Sequence, residues 1–432
     1  MEPHLALPLL AGLSPAQFMR RHWQKKPLVV RAAVPELIGS KPLLSRAALF
    51  KLACTEGVES RLLVKSGASW VMKNGPFSTR GLPPVSKPGW TLLVQGVDGH
   101  NEAVHQLLKQ FRFVPDARLD DVMISFASPG GGVGAHVDSY DVFLLQASGS
   151  RRWQIAKQKD LSLKPGLPLK ILKNFKADEE FVLHAGDMLY LPPHYAHDGV
   201  AEAAQGPDGS ALDCMTYSIG FKSPAEQELG CELLHRLAEF GEDAMHSDDS
   251  HSALNQNENQ NQKTAQKQNQ KQNQKQTPQH QRRQKRYSDP LQAATANPAL
   301  LPQSLIDFAR NAVNQALQDP LAIACAMGEI MTAPKPDVWF DAAPEQNPSK
   351  ARLSRYNEVL LHARTRMMYD ADHVFINGES YRAKGADARL MRRLADQRCL
   401  SSTELVKASN GAHELLADWR AEGWLMAESG TP

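Results

Sequence analysis

The sequence predicts a mainly β protein with added helices: an N-terminal antiparallel barrel or sandwich, then a helical region, then a small α+β module. Three observations predict it. Up to residue 222, short β-rich runs alternate with Gly, Pro and polar punctuation. After Ser223, apolar residues recur at helical spacing. From about Pro336, a hairpin signal is followed by three short helical stretches. A chain of 432 residues exceeds one core, so three parts are expected: 1–222, 223–335 and 336–432.

The β-rich runs fall at 27–31, 61–65, 91–95, 121–127, 141–146, 152–156, 180–183, 188–191 and 215–221. Ser14-Pro15-Ala16-Gln17 carries the pattern of a capping box and opens an early helix. Ser223-Pro224-Ala225-Glu226 repeats that pattern before Leu229, Leu233, Leu237 and Phe240. Leu301, Leu305, Phe308, Ala312, Val313 and Leu317 form a further stripe, and 320–331 another helix. That apolar face suits either a dimer surface or packing within the chain. In the last part, Asn377-Gly378 sits between 374–376 and 381–383, and helices are expected at 388–397, 403–409 and 412–421. This outline is that of a winged helix. DNA binding is not expected, because the last helix sets Glu414 and Asp418 against Arg420 alone, and phosphate contact needs clustered Lys and Arg.

Between Asn255 and Arg286 lies a Gln/Asn/Lys tract with eight Lys or Arg and one acid, Glu258. It holds too little apolar surface to offset the entropy of ordering, so disorder is expected. A tolerated surface insertion accounts for it; weak RNA binding is the alternative. The whole chain has 49 basic and 47 acidic residues. Without the tract it is therefore mildly acidic, which suits a basic partner. No run of about 18 apolar residues occurs, which predicts no membrane span, and the first residues lack a signal-peptide pattern. The five cysteines are scattered and form no C-x-x-C pair. A reducing, cytoplasmic setting is expected, without a disulfide framework or thiolate metal site.

The chemistry concentrates at His136-Val137-Asp138. In a strand, residues two apart share a face, so both side chains reach one ion. A third ligand must come from elsewhere. His197, after Gly186-Asp187 and the Pro192-Pro193 corner, suits best, with His184 and His194 as rivals. Two His and one carboxylate leave open positions of the kind that non-haem Fe(II) oxygenases use. Gly130-Gly131-Gly132-Val133-Gly134 lacks the Lys-Ser/Thr of a phosphate loop and precedes no helix pattern. A 2-oxoglutarate enzyme also needs a cation for the distal carboxylate; Arg151 or Arg152 can face inward, with Ser125 assisting. Tyr140 shares the parity of His136 and Asp138, so it lines the substrate pocket or packs in the core.

The segments Met123 to Gln146, Ser150-Arg151-Arg152-Trp153, Leu189 to Gly199 and Trp23 to Val30 resemble the bacterial JmjC-type ribosomal oxygenases, over roughly residues 14 to 222. Among these, the resemblance is to arginine hydroxylases of a large-subunit ribosomal protein. It implies a double-stranded β-helix (cupin/JmjC) barrel, a helical dimerisation region, a homodimer and a C-terminal winged helix. It implies Fe(II) held by His136, Asp138 and His197, and 2-oxoglutarate paired with Arg151 and contacted by Ser125. The expected reaction is hydroxylation of an arginine at Cβ. His194 stands where this family often has a basic residue, and the Gln/Asn/Lys tract is an insertion. Two alternatives remain: hydroxylation of another residue or RNA base on the same fold, and a non-enzymatic metal-binding cupin regulator with a DNA-binding winged helix.

Overall fold

The computed structural model describes residues 2–249, 303–341 and 356–429, apart from 40, 41, 68, 207, 208, 319, 337 and 383. The Gln/Asn/Lys tract at 255–286 lies outside the described residues. The chain divides into two compact units, Met1–Ala225 with Met331–Pro432, and Glu226–Ile330.

In the N-terminal part of the first unit the nine β-rich runs and two further segments form eleven strands: β1 Leu28–Val30, β2 Ser60–Ser66, β3 Ser69–Asn74, β4 Trp90–Val94, β5 Leu119–Ala127, β6 Val142–Ser148, β7 Ser150–Ala156, β8 Glu179–His184, β9 Met188–Leu191, β10 Ala196–Glu202 and β11 Cys214–Phe221. Eight pair in the order β1-β9-β6-β11-β5-β4-β2-β3; the other three form a smaller sheet, β10-β7-β8. Pairing is antiparallel throughout both sheets. The arrangement is the JmjC cupin-type sandwich that the sequence implied.

The large sheet is covered on both faces. One face carries Val122, Ile124 and Phe126 of β5 with Tyr217, Ile219 and Phe221 of β11, packed with helix residues Phe18, Leu49, Val104 and Leu107. The other face packs Val142, Leu144, Leu189 and Leu191 with Trp153, Ile155 and Leu183 of the small sheet. This double burial explains why β4 is buried at every position and why its sequence shows no polar alternation. The helix Pro15–Arg21 opens with the expected capping box: Gln17 N donates to Ser14 Oγ (3.3 Å) and Ser14 N to Gln17 Oε1 (3.0 Å).

Several expectations are corrected. His136 and Asp138 do not lie in a strand. They occupy the connection from β5 to β6, which touches a strand through one isolated bridge. Strands β3 and β10 lie outside the expected β-rich runs: β3 has only the short apolar run Trp70-Val71-Met72, and β10 carries Asp198 and Gly199 among its small residues. Ser223 does not cap a helix. The helix starts at Glu226, after residues kept non-helical where Lys222 and Arg118 exchange backbone and side-chain hydrogen bonds. The stretch expected at 403–409 is helical only over Ser402–Leu405.

The C-terminal module is a winged helix. It has three-stranded sheets at Cys399–Ser401, Tyr356–Leu361 and Leu425–Ser429, and at Met367–Tyr369, His373–Ile376 and Glu379–Arg382. Asn377 and Gly378 have positive φ (47° and 90°), the turn geometry their sequence signals. In the second unit the described helices are Glu226–Asp249, Gln303–Ala316 and most of Pro320–Thr332. Leu305, Val313 and Leu317 are exposed there. No described helix is long and apolar enough to cross a membrane, and all five cysteines are free.

Asp141 is fully buried. Its Oδ1 accepts from Tyr190 Oη at 2.6 Å, and its Oδ2 from Gln24 Nε2 at 3.0 Å. Tyr190→Phe removes the shortest of these bonds and leaves a buried carboxylate under-satisfied. The expected cost is about 1–3 kcal/mol, read as a lower urea midpoint with unchanged slope.

Candidate functional site

The site begins with backbone. His136 N donates to His197 O (3.0 Å) and His197 N to His136 O (2.9 Å), so the loop after β5 pairs with the head of β10. His194 N donates to Asp138 O at 2.7 Å and closes the loop from the other side. His194 has φ of 61° and an exposed side chain at the rim. Glycines allow this close approach: a Cβ on Gly132 would collide with the Gly199 carbonyl, and one on Gly199 with the Trp153 ring.

These contacts bring His136, Asp138 and His197 together. Their ligand atoms lie within 4.8 Å of one another, and no other such group occurs among the described residues. The Asp138 carboxylate lies 3.9 Å from His136 Nε2 and 3.7 Å from His197 Nε2. His136 Nδ1 lies 2.8 Å from Gly134 O, and His197 Nδ1 2.9 Å from Tyr195 O. A carbonyl only accepts, so each Nδ1 carries the proton and each Nε2 keeps its lone pair turned toward Asp138. That tautomer is the one a metal-binding imidazole needs, with the backbone carbonyl fixing the ring. Burial, then the neighbouring His136, push His197 down to about 4, so its ring is neutral. The donor set fits a divalent transition metal with open positions.

His184 is elsewhere: its Nδ1 meets Ser150 Oγ at 2.9 Å on the small sheet. The two arginines also separate. Arg152 points outward and pairs with Glu180 and Glu202. Arg151 is buried, with 3 % of its surface exposed. Its guanidinium reaches only Gly199 O and Ser125 Oγ, both at 3.5 Å, and its Nε has no partner. Among the described residues no carboxylate pairs with it. A buried cation so poorly satisfied is costly and suits an anionic ligand.

Arg151, Ser125, Tyr140 and the three ligand residues line one cavity of about 270 Å³. Tyr140 stands at its mouth, 39 % exposed. The cavity also takes in residues that the sequence reading missed. Asp121, Met123 and Ser125 alternate along β5, and Thr216 and Ser218 along β11; all five face the cavity. Period two along β5, counted back from Ser125, was the signal that could have found Asp121. Thr216 Oγ1 donates to Gln146 Oε1 at 2.8 Å, and Ser125 Oγ to Thr216 O at 3.4 Å, which ties this polar face together.

A cobalt(II) titration checks the donor set. One ion per chain is expected, with weak ligand-field bands of a site richer than four-coordinate. Asp138→Ala is expected to weaken binding by about a hundredfold or more. An unchanged affinity would place the metal elsewhere.

A JmjC domain model matches residues 106–229, and a ROXA-like winged helix model matches residues 315–426. The chain is 38 % identical over 215 residues to the ribosomal protein uL16 3-hydroxylase of Escherichia coli strain K12, covering 49 % of this chain and 53 % of that protein. It thus spans about half the length of the curated relative it matches. The solved structure of E. coli YcfD covers 96 % of this chain and 98 % of its own, with TM-score 0.72 and 27 % identity. A structure of YcfD, described as a ribosomal oxygenase, in complex with cobalt and 2-oxoglutarate gives TM-score 0.69 at 27 % identity, with the same coverage. The chain thus carries a JmjC domain and a ROXA-like winged helix, and it is similar to YcfD along nearly its whole length.

Proposed function

We propose that the protein is an Fe(II)- and 2-oxoglutarate-dependent dioxygenase that hydroxylates an arginine, at Cβ, of a large-subunit ribosomal protein. One observation carries this reading: a His-Asp-His donor set, a buried unpaired arginine and a pair of acids line the same cavity. The relative named a uL16 3-hydroxylase supports the substrate class.

His136, Asp138 and His197 would hold the iron. When bound, the iron supplies the activation of O2 against an unreactive C–H bond. The chain supplies orientation and dryness. Arg151 offers a planar fork to the distal carboxylate of 2-oxoglutarate, and Ser125 adds a hydroxyl beside it. Trp153, Val142 and Leu144 wall the cavity and limit water. Asp120 and Asp121 lie toward the other end of β5, four residues before Ser125 in the case of Asp121, or roughly 13 Å along the strand. A side chain entering past Tyr140 meets these acids, and a guanidinium is the cation that fits two carboxylates best. A neutral histidine or asparagine side chain would bring no charge to complement them on the cavity side.

The winged helix is proposed to serve packing. Arg112, after the helix Glu102–Lys109, donates to Asp396 O (2.7 Å) and Ala395 O (3.0 Å) at the end of the helix Gly385–Gln397. The helix Asn410–Ala421 lacks a basic cluster. Sequence-specific, salt-resistant binding to genomic fragments would instead favour a regulator. The exposed Leu305 and Val313 support a homodimer; a Leu305→Asp, Val313→Asp double variant is expected to elute as a monomer in light-scattering chromatography, and an unchanged mass would rule that face out.

The activity test is succinate formation from 2-oxoglutarate with Fe(II), ascorbate, O2 and peptides from the ribosomal protein. Peptide-stimulated turnover with one oxygen added to one arginine is expected, and none with Asp138→Ala. Arg151→Met is expected to raise KM for 2-oxoglutarate by about two orders of magnitude, the loss of a charge-assisted bidentate pair. Turnover on a residue other than arginine would overturn the substrate assignment.

A further inference from the structure

Asp120 and Asp121 form part of the cavity wall, and that wall has a second side. Lys335 reaches it from outside: its Nζ lies 2.9 Å from Asp120 Oδ1 and 2.9 Å from Asp121 Oδ2. Lys335 does not line the ligand cavity. It lines a separate cleft of about 130 Å³ between the sandwich and the winged helix, with Arg364 and Arg366. It follows the helix Pro320–Thr332 and precedes the winged helix, and Val338 N donates to its carbonyl at 2.9 Å.

The two acids differ in need. Asp121 has 7 % of its side chain exposed, whereas Asp120 has 32 %. Burial pushes the Asp121 carboxyl above the usual carboxylate range, and Lys335 is the largest influence opposing it. Asp98, buried behind them in the turn Val97–Gly99, is pushed up to about 7 by burial and by Asp121. Among the described residues, other groups around the acids are Gln95 and the Gly96 amide, Tyr140, Arg61 on the cavity side, Arg366 and Lys222, itself pushed down to about 8 by burial. Three neighbouring carboxyls thus share one close cation. Without it, the buried one loses the largest influence that favours its charged form, the form a cationic ligand needs.

We propose that Lys335 is a positioning residue for substrate recognition: it grips Asp120 and Asp121 from behind the wall, so that their carboxylates are held in place to meet the substrate cation. This rests on the arginine reading of the cavity. It makes the strap between the helical region and the winged helix part of the specificity apparatus, without any contact of its own to substrate.

The test compares the full-length wild type with Lys335→Gln, Lys335→Ala and Lys335→Arg, using the arginine peptide and Fe(II)-loaded enzyme. The Gln and Ala variants are expected to raise peptide KM about tenfold or more near pH 6.5, with kcat within about twofold. The excess is expected to shrink near pH 8.5, because a carboxyl with a raised pKa ionises again as pH rises. Asp98 moves in the same direction on loss of Lys335, so it adds to this trend. Lys335→Arg is expected to restore the wild-type profile. KM for 2-oxoglutarate and the melting temperature of Lys335→Gln are expected to stay near wild type, which a general packing defect would not allow. An unchanged or lowered peptide KM in both neutral variants, or a raised KM equal at both pH values, overturns the role. Absence of turnover by the wild type on any arginine peptide instead overturns the arginine reading, and the inference falls with it.

Discussion

The site depends on a two-way backbone bridge between His136 and His197. It joins a loop to the first turn of a strand, and it sets both imidazoles before any ligand arrives. Each ring is then locked by a carbonyl two residues back, Gly134 for one and Tyr195 for the other. A ligand side chain free to rotate would lose entropy on binding; these have already lost it during folding. The bridge in turn requires Gly132, since a side chain there would push the loop off the Gly199 carbonyl, while Gly199 leaves room for the Trp153 ring.

The large sheet supplies the second constraint. One face of β5 and β11 is committed to the main core, through Val122, Ile124, Phe126, Tyr217 and Ile219. The pleat then dictates that Asp121, Met123, Ser125, Thr216 and Ser218 all face the cavity. A single strand therefore carries the hydroxyl beside Arg151 near one end and the acid beside Lys335 near the other. Their separation is as rigid as the strand, which suits the proposed reaction, with a co-substrate near one end and a substrate side chain near the other.

The cavity keeps its charges under unlike regimes. Arg151 is buried against two long hydrogen bonds and a tryptophan ring 5.7 Å away. Such a cation is destabilising alone and is relieved by an anion. Asp121 is buried as well, but it has a lysine at hydrogen-bond distance on the far side of the wall. The C-terminal module and the strap that leads into it are tied to the sandwich at several points: by Lys335 of the strap, by Arg112 on Asp396 and by Arg366 on the Leu119 carbonyl.

The sequence by itself determined the strand-rich first part, the capping box at Ser14, the Asn377-Gly378 turn and the short list of residues able to hold iron, because these follow from local periodicity and side-chain chemistry. It left His184 and His194 beside His197, and Arg152 beside Arg151, because distance along the chain says nothing of distance in space. It misplaced His136 and Asp138 on a strand, since H-x-D reads alike in a strand and in a loop held by one bridge. It did not reveal Asp120, Asp121 or Lys335 as a group. Only the tertiary structure decided those, because long-range pairing, burial and the packing of the C-terminal module on the sandwich determine which charges meet and which face water.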